Sequence, residues 1–411
     1  MEFLIASALA ATLTVPGRAS ATPSIAADGQ FVAIAWSAAL PSGATDIFLA
    51  VSRDGGLTFG SPVRVNDKDG DARVNGEQPP RVVVQRGDPP IITVVWTSKG
   101  ASGTRLVYAR SDNGGRSFAR AMTVPGGDAP GNRGWEAAAI DRHGRASVVW
   151  LDHRELARHE DATVASTHHQ HGAAKPDGVA MAERSKLYFA ALDGSTPPTA
   201  VTGGVCYCCK TALATAADGS IHMAWRHVYP GNIRDIAFTA SRDGGRTFAA
   251  PVRVSDDKWE LDGCPDDGPA MAVDARGRVH VVWPTLVKTS EGEDTIALFY
   301  STSADGRRFA ARERIPTEGM PHHPQIAAAA DGSLALAWDE MVAGKRRAVA
   351  ARVMFDATGR PRFDRQVVSG EEPAVYPIVA ATGDATLVVW TSGRTPESVI
   401  RVARLRQRAR P

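Results

Sequence analysis

Cysteine is scarce in this chain: there are four in 411 residues, and all of them, Cys206, Cys208, Cys209 and Cys264, fall in one region. A disulfide framework spread over the whole chain is thereby excluded. Long apolar runs are also missing, which excludes a membrane-spanning helix. Neither charge sign is concentrated: 47 Lys+Arg against 45 Asp+Glu leave a formal +2. With no basic block and no acidic tail, nucleic acid is not an expected partner.

What the chain does have is 39 Gly and 26 Pro, a balance that favours many short strands joined by tight turns. Its N-terminal stretch reads in two ways. Phe3 to Val15 is apolar and Ala19-Ser20-Ala21 resembles a signal-peptidase site, although Met1-Glu2 lacks the positive n-region. A secreted or periplasmic location is expected on that basis, unless the same stretch is a strand of the fold.

A unit of apolar alternation, a Gly-containing turn, a second apolar strand and a Trp recurs seven times, ending at Trp36, Trp96, Trp150, Trp225, Trp283, Trp338 and Trp390. The spacings between these Trp residues, 60, 54, 75, 58, 55 and 52, suit four short strands per unit. The segments before Trp36 and after Trp390 together make one further period, as a closed ring requires. The expected fold is therefore all-β: one β-propeller domain over 1–411 with seven four-stranded blades, its ring closed by an N-terminal strand near Ala11 to Val15. The Trp residues are read as blade-core residues. The 75-residue unit carries an insertion at 154–184 that contains His168, His169 and His171, either a lid or a surface excursion.

A second motif follows several of the Trp units. Ser52-Arg-Asp54-Gly-Gly-Leu-Thr58-Phe59 and Ser241-Arg-Asp243-Gly-Gly-Arg-Thr247-Phe248 are near-identical, Ser111 to Phe118 is a close variant, and Ser303 to Phe309 is one residue short. The physics is that of a hairpin turn: Asp or Asn binds nearby backbone, the glycines take positive φ, and Phe plugs the turn onto the sheet. In this motif the chain resembles the Asp-box (BNR-repeat) sialidase-like propellers, with a six-bladed sialidase-like ring as the alternative count. The resemblance implies a glycan or other small-molecule ligand and a glycoside hydrolase site. Arg18 and Arg154 would stand for the arginines that clamp a carboxylate, Glu136 for the activating acid and Tyr376 for the nucleophile. Arg18 is followed by Ala19-Ser20 and so lacks the family's Arg-Ile-Pro signature, and no Asp stands out as acid/base.

In a propeller blade the loop leading into the innermost strand and the loop after the second strand share one face. That rule gathers Arg18, Glu77, Glu136, Cys206 to Lys210, Asp266, Asp267, His322, His323 and Tyr376 with Arg154, His227 and Asp339 at one mouth of the channel. The cysteines admit three readings there. Cys264 could pair with Cys206, Cys208 or Cys209 as a structural disulfide. Alternatively, Cys206, Cys208, Cys209 and Cys264 with His227, His322 and His323 are soft donors suited to copper or zinc, in a metal-dependent oxidoreductase or metal-handling protein. A catalytic or redox thiol beside Lys210 is the third. A non-catalytic interaction platform with stapled loops is the remaining functional class. His222 and His280, inside strands, are read as packing residues.

Overall fold

Runs such as Phe31-Val-Ala-Ile-Ala-Trp36 and Ile91-Ile-Thr-Val-Val-Trp96 are rich in β-branched and aromatic residues, and they are followed by turn residues, so they extend and pair with their neighbours. In the computed structural model, which describes residues 8–100, 103–158, 178–261, 263, 265–288 and 294–406, they form seven antiparallel four-stranded sheets. The first blade is Ala19–Asp28, Phe31–Ala39, Thr45–Ser52 and Val63–Arg64. The innermost strands of the others are Arg81–Gln85, Arg133–Ile140, Ala212–Thr215, Ala270–Val273, Met320–Ala328 and Ala374–Ala381. Seven blades are present, not the six of the alternative count.

The ring closes as the sequence requires, but a few residues earlier than expected. Ala8–Leu13, not Ala11 to Val15, pairs antiparallel with Val399–Arg406 as the outer strand of the seventh blade. Gly17, at φ 71°, lies in the turn that leads from it into the first innermost strand. A sheet made from both ends of the chain leaves no open gap in the ring.

Each Trp sits between its own blade and the one before it. Trp36 packs with Leu387, Val389 and Ile400 of the seventh blade, Trp96 with Ala33 and Ile47 of the first, and Trp338 with Val282 and Leu298 of the fifth. All seven are at most 2 % exposed. They are therefore inter-blade wedges, and each carries one joint of the ring.

The Asp-box turns work in the same direction. Ser52 Oγ accepts the Gly56 N–H at 2.8 Å, and Asp54 Oδ1 accepts the Leu57 and Thr58 N–H groups. Hydrogen bonds from the Ser52 and Thr58 hydroxyls, followed by those backbone N–H groups, hold the Asp54 carboxyl down at about 2. In the short box Gly306 N reaches Ser303 Oγ three residues back, one fewer than in the full box, so the missing residue is absorbed within the turn. The second box glycine also lets the turn sit on the preceding blade: a β-carbon at Gly245 would lie 2.1 Å from Phe189 Cε1. Gly245→Ala is expected to lose roughly 1–3 kcal/mol beyond its backbone strain. Gly219→Ala is the control, since Gly219 has a similar φ of 87° with nothing within 4 Å of the added carbon. Equal losses in urea unfolding would show that the Phe189 contact contributes nothing.

Of the insertion, residues 159–177 lie outside the described residues, and with them His168, His169 and His171. Its flanks form the short helices Arg154–Arg158 and Gly178–Arg184. No helix among the described residues is long and apolar enough to cross a membrane.

Candidate functional site

At the mouth, four innermost strands share one irregularity. Thr22, Trp135, His323 and Tyr376 all have φ between 52° and 54°, at the points where their strands slip register against the next: Ala21/Ser24, Gly134/Ala137, His322/Gln325 and Val375/Ile378. Left-handed backbone at a non-glycine residue costs roughly 1–2 kcal/mol, and a bulge at the rim of a barrel or ring re-aims a side chain. Thr22, His323 and Tyr376 all line the pocket at the axis, together with Glu77, Arg81 and Lys210.

A loop of the second blade closes the bottom of this pocket. Asn75 and Gln78 exchange backbone hydrogen bonds, and the tight turn between them crosses the axis. Gly76 lies under the Tyr376 ring, where a β-carbon would come within 1.9 Å of Cζ. Glu77 reaches the far side: Oε1 accepts Lys210 Nζ at 3.1 Å, and Oε2 accepts the backbone N–H of Lys210 and of Gly268 at 3.2 and 3.1 Å. Lys210 Nζ also stands 3.8 Å from Asp267. Both members of the Glu77–Lys210 pair are 3 % exposed. One loop thus ties the second blade to the fourth, fifth and seventh.

Around the pocket, His323 Nδ1 lies 2.6 Å from Asp339 Oδ1, and Asp339 is also paired with Arg346. Burial works against the charged imidazole, yet the Asp339, Asp267 and Glu77 carboxylates outweigh it and raise His323 above its usual value. The Tyr376 ring lies 4.2 Å from that of His323. Burial, with the Glu77, Asp339 and Asp266 carboxylates, pushes the Tyr376 phenol up to about 12. His322 Nδ1 meets Asp267 at 3.2 Å, and Asp267 also accepts the His323 N–H. The mouth therefore favours bound protons: an imidazole whose acid form the carboxylates stabilise lies beside a neutral phenol.

The expected site residues separate in this geometry. Tyr376 and His323 come together, with His322 one residue away on Asp267. Arg18 does not join them; it pairs with Asp46 of its own blade at 2.8 Å. Arg154 is likewise held by both oxygens of Asp152 at 2.7 Å and lies over Tyr188. No arginine cluster is assembled from the residues expected to clamp a carboxylate. Glu136 is wholly buried behind Arg81, which donates to its backbone carbonyl at 2.7 Å. Its Oε2 receives Thr97 Oγ1 at 3.2 Å and its Oε1 has no partner.

Burial pushes the Glu136 carboxyl up to about 7. A carboxyl raised in the fold lowers stability as pH climbs from its unfolded value to its folded one, and changes nothing below both. Glu136→Gln is therefore expected to match the parent near pH 4 and to exceed it above pH 7 by ~3 kcal/mol, taking about 1.4 kcal/mol per tenfold in proton affinity. Thermal melts across pH check this, and parallel curves would refute it.

The cysteines form a separate cluster beneath Trp135, Tyr207 and Val228. Cys206, Cys208 and Cys209 are buried with their sulfurs within 4.8 Å of one another. Cys206 and Cys209 are free thiols, while Cys208 is disulfide-bonded; Cys264 lies outside the described residues. The histidines proposed as co-ligands are elsewhere. The Trp225 indole N–H donates to His227 Nδ1 at 3.3 Å, His227 also meets Tyr229, and burial lowers its pKa to about 4. His322 and His323 are committed to Asp267 and Asp339. Arg234 Nη1 lies 3.3 Å from Cys206 Sγ, a cation where a copper or zinc ion would have to be. Among the described residues the free sulfur donors are Cys206 and Cys209, beside the Arg234 guanidinium, whose charge opposes a metal cation at Cys206. Lys210, expected to act on the thiols, points its ammonium at Glu77 instead.

Arg234 and Arg346 were not anticipated as parts of the site, and of the Asn75–Gln78 turn only Glu77 was. One signal was available for the channel residues: counting back fourteen or fifteen positions from six of the Trp residues lands on Thr22, Trp135, Lys210, Gly268, His323 and Tyr376. In Thr22, Gly268, His323 and Tyr376 the next residue is Pro.

Together these features define a seven-bladed propeller with a polar pocket, lined by Glu77, Lys210, His323 and Tyr376, at one mouth of its channel. No protein-family model matches the chain, and no curated protein matches it. Among solved structures it is similar to a protein of unknown function from Dyadobacter fermentans, with 14 % identity over 97 % of this chain and 99 % of that one and a TM-score of 0.52. The α-L-arabinofuranosidase Arb93A from Fusarium graminearum matches at 12 % identity over 97 % of both chains, TM-score 0.50. The polysaccharide lyase Uly1 matches at 10 % over 95 % of this chain and 91 % of its own, TM-score 0.51. Sialidases also match, at lower TM-scores. At these identities the likeness is one of fold.

Proposed function

We propose that this propeller binds a glycan at the channel mouth and cleaves it by proton transfer through His323 and Tyr376. The observation that carries the reading is the Asp339–His323–Tyr376 arrangement, an imidazole whose acid form Asp339 favours, its ring 4.2 Å from and tilted against a neutral phenol at the pocket wall. Such a pair donates hydrogen bonds and protons to oxygen, and glycosidic bond cleavage needs a proton on the leaving oxygen. Tyr376 serves here as a donor and not as the nucleophile of the sialidase pattern. Its phenol is held neutral, and Glu77, which would have to activate it, has both oxygens engaged by Lys210 and Gly268. The missing arginine clamp points away from sialic acid. The three-dimensional likeness to an arabinofuranosidase and a polysaccharide lyase supports a glycan ligand for this chain. A location outside the cytoplasm belongs to the same reading and accords with the disulfide at Cys208.

The test is incubation of the full chain with a panel of neutral and uronate-containing polysaccharides. Release of reducing ends is read together with absorbance of new unsaturated sugar ends, and calorimetry reports binding. Cleavage of at least one member is expected; the absence of both binding and cleavage across the panel would overturn the proposal.

A further inference from the structure

Glu77, Lys210, His323 and Tyr376 account for the pocket, but they leave the free thiols Cys206 and Cys209 unused. These two are spaced C-x-x-C, with Tyr207 and Cys208 between them, and their sulfurs lie 3.7 Å apart. A disulfide needs about 2.0 Å between sulfurs, so the two sulfurs must close by ~1.7 Å. Arg234 provides the second feature. Its Nη1 is 3.3 Å from Cys206 Sγ and its other terminal nitrogen, Nη2, is buried with no partner. A buried guanidinium aimed at one sulfur of the pair stabilises that sulfur as a thiolate and repels a metal cation. Cys206 is thus set up as the attacking sulfur and Cys209 as the resolving one.

We propose that Cys206 and Cys209 are a redox-active dithiol that closes to a disulfide when it meets a peroxide. In the first step the Cys206 thiolate attacks one oxygen of hydrogen peroxide; the O–O bond breaks, hydroxide leaves and takes up a proton as water, and Cys206 becomes a sulfenic acid. In the second, the Cys209 sulfur attacks Cys206 Sγ, the S–O bond breaks, and the hydroxyl leaves with the Cys209 proton as a second water. Two thiols are oxidised by two electrons and one peroxide is reduced to two waters. The burial of both sulfurs, 1 % and 2 % exposed for their residues, favours an oxidant of this size over a protein partner. Closure also reaches the pocket, because Cys209 adjoins Lys210, whose backbone N–H and ammonium both hold Glu77. That last link rests on the reading of the pocket given above; the chemistry of the thiols does not.

The experiment is differential alkylation of the full chain before and after hydrogen peroxide, unfolded under acid quench and read cysteine by cysteine by fragmentation mass spectrometry. Peroxide should remove Cys206 and Cys209 together from the alkylated pool, with a loss of 2 Da that dithiothreitol reverses. In Cys209→Ser, Cys206 should stop as a sulfenic acid that dimedone traps. Arg234→Met should slow the wild-type reaction about tenfold or more while leaving its end point the same. The proposal is overturned if both thiols stay alkylatable, if each over-oxidises separately without a crosslink, or if Cys206 links to Cys208 instead. The parent chain alone decides between these outcomes should a variant fail to fold. Polysaccharide binding by the oxidised and reduced chains is measured alongside. A dithiol that closes without altering binding removes only the link to the pocket, and so failure of the glycan reading stays distinguishable from failure of the thiol chemistry.

Discussion

Lys210→Met is expected to destabilise the protein by ~3–5 kcal/mol, the usual cost of removing one partner from a buried ion pair. Glu77 would be left as a carboxylate with 3 % exposure, and its two backbone donors, Lys210 N and Gly268 N, cannot replace a full positive charge. The same loop touches the fourth, fifth and seventh blades through Lys210, Gly268 and Tyr376, so the damage extends to those contacts. The sign of the coupling makes the test sharp. Glu77→Gln keeps an acceptor for both backbone N–H groups while removing the stranded charge, so Glu77→Gln/Lys210→Met should be more stable than Lys210→Met alone. Urea midpoints at unchanged slope measure this. A single substitution costing under 1 kcal/mol, or a double that simply adds the two losses, would mean that the backbone donors or water already satisfy Glu77.

Tyr376→Phe is expected to lower turnover of any cleaved glycan by about 10²–10⁴, the range of a lost acid/base group, with little change in melting temperature. The ring still fills the space over Gly76, and only the hydroxyl is removed. His323 gives the pH dependence. Because Asp339 holds its folded value above the usual 6.5, the rate carried by its acid form should fall as pH rises through that raised value. Asp339→Asn should shift the falling limb to lower pH. The same linkage appears in stability: the His323 contribution is complete below its unfolded value and disappears as pH rises through the folded one. Rate profiles for Tyr376→Phe and Asp339→Asn test the two roles separately. A limb that does not move in Asp339→Asn would remove His323 as the acid, and full turnover in Tyr376→Phe would remove the phenol.

The ring was legible in the sequence because its determinants are local and repeated. A Trp that ends each second strand, an Asp-box that closes a hairpin and a spare strand at each end are enough to count seven blades and close the circle. The face that carries the polar residues was legible for the same reason, since it follows from strand direction alone. Arg18 and Arg154 show where such reasoning stops. Both lie at the expected positions in the chain, but Asp46, met across a strand pair, and Asp152, two residues back on the preceding strand, engage their guanidinium groups instead.

Composition, turn chemistry and periodicity therefore determined the architecture of this protein and located its cysteines, His323 and Tyr376 near one mouth. Which of those residues meet was decided only by the tertiary structure. Glu77 reaches Lys210 from two blades away, His323 meets the Tyr376 ring because two strands bulge at the same level, and Arg234 turns towards Cys206 from the other side of a hairpin. The physical reason is that a repeat fixes each blade's backbone through contacts with its neighbours, while side chains at the axis answer to charges from blades far apart in sequence, for which no local pattern exists.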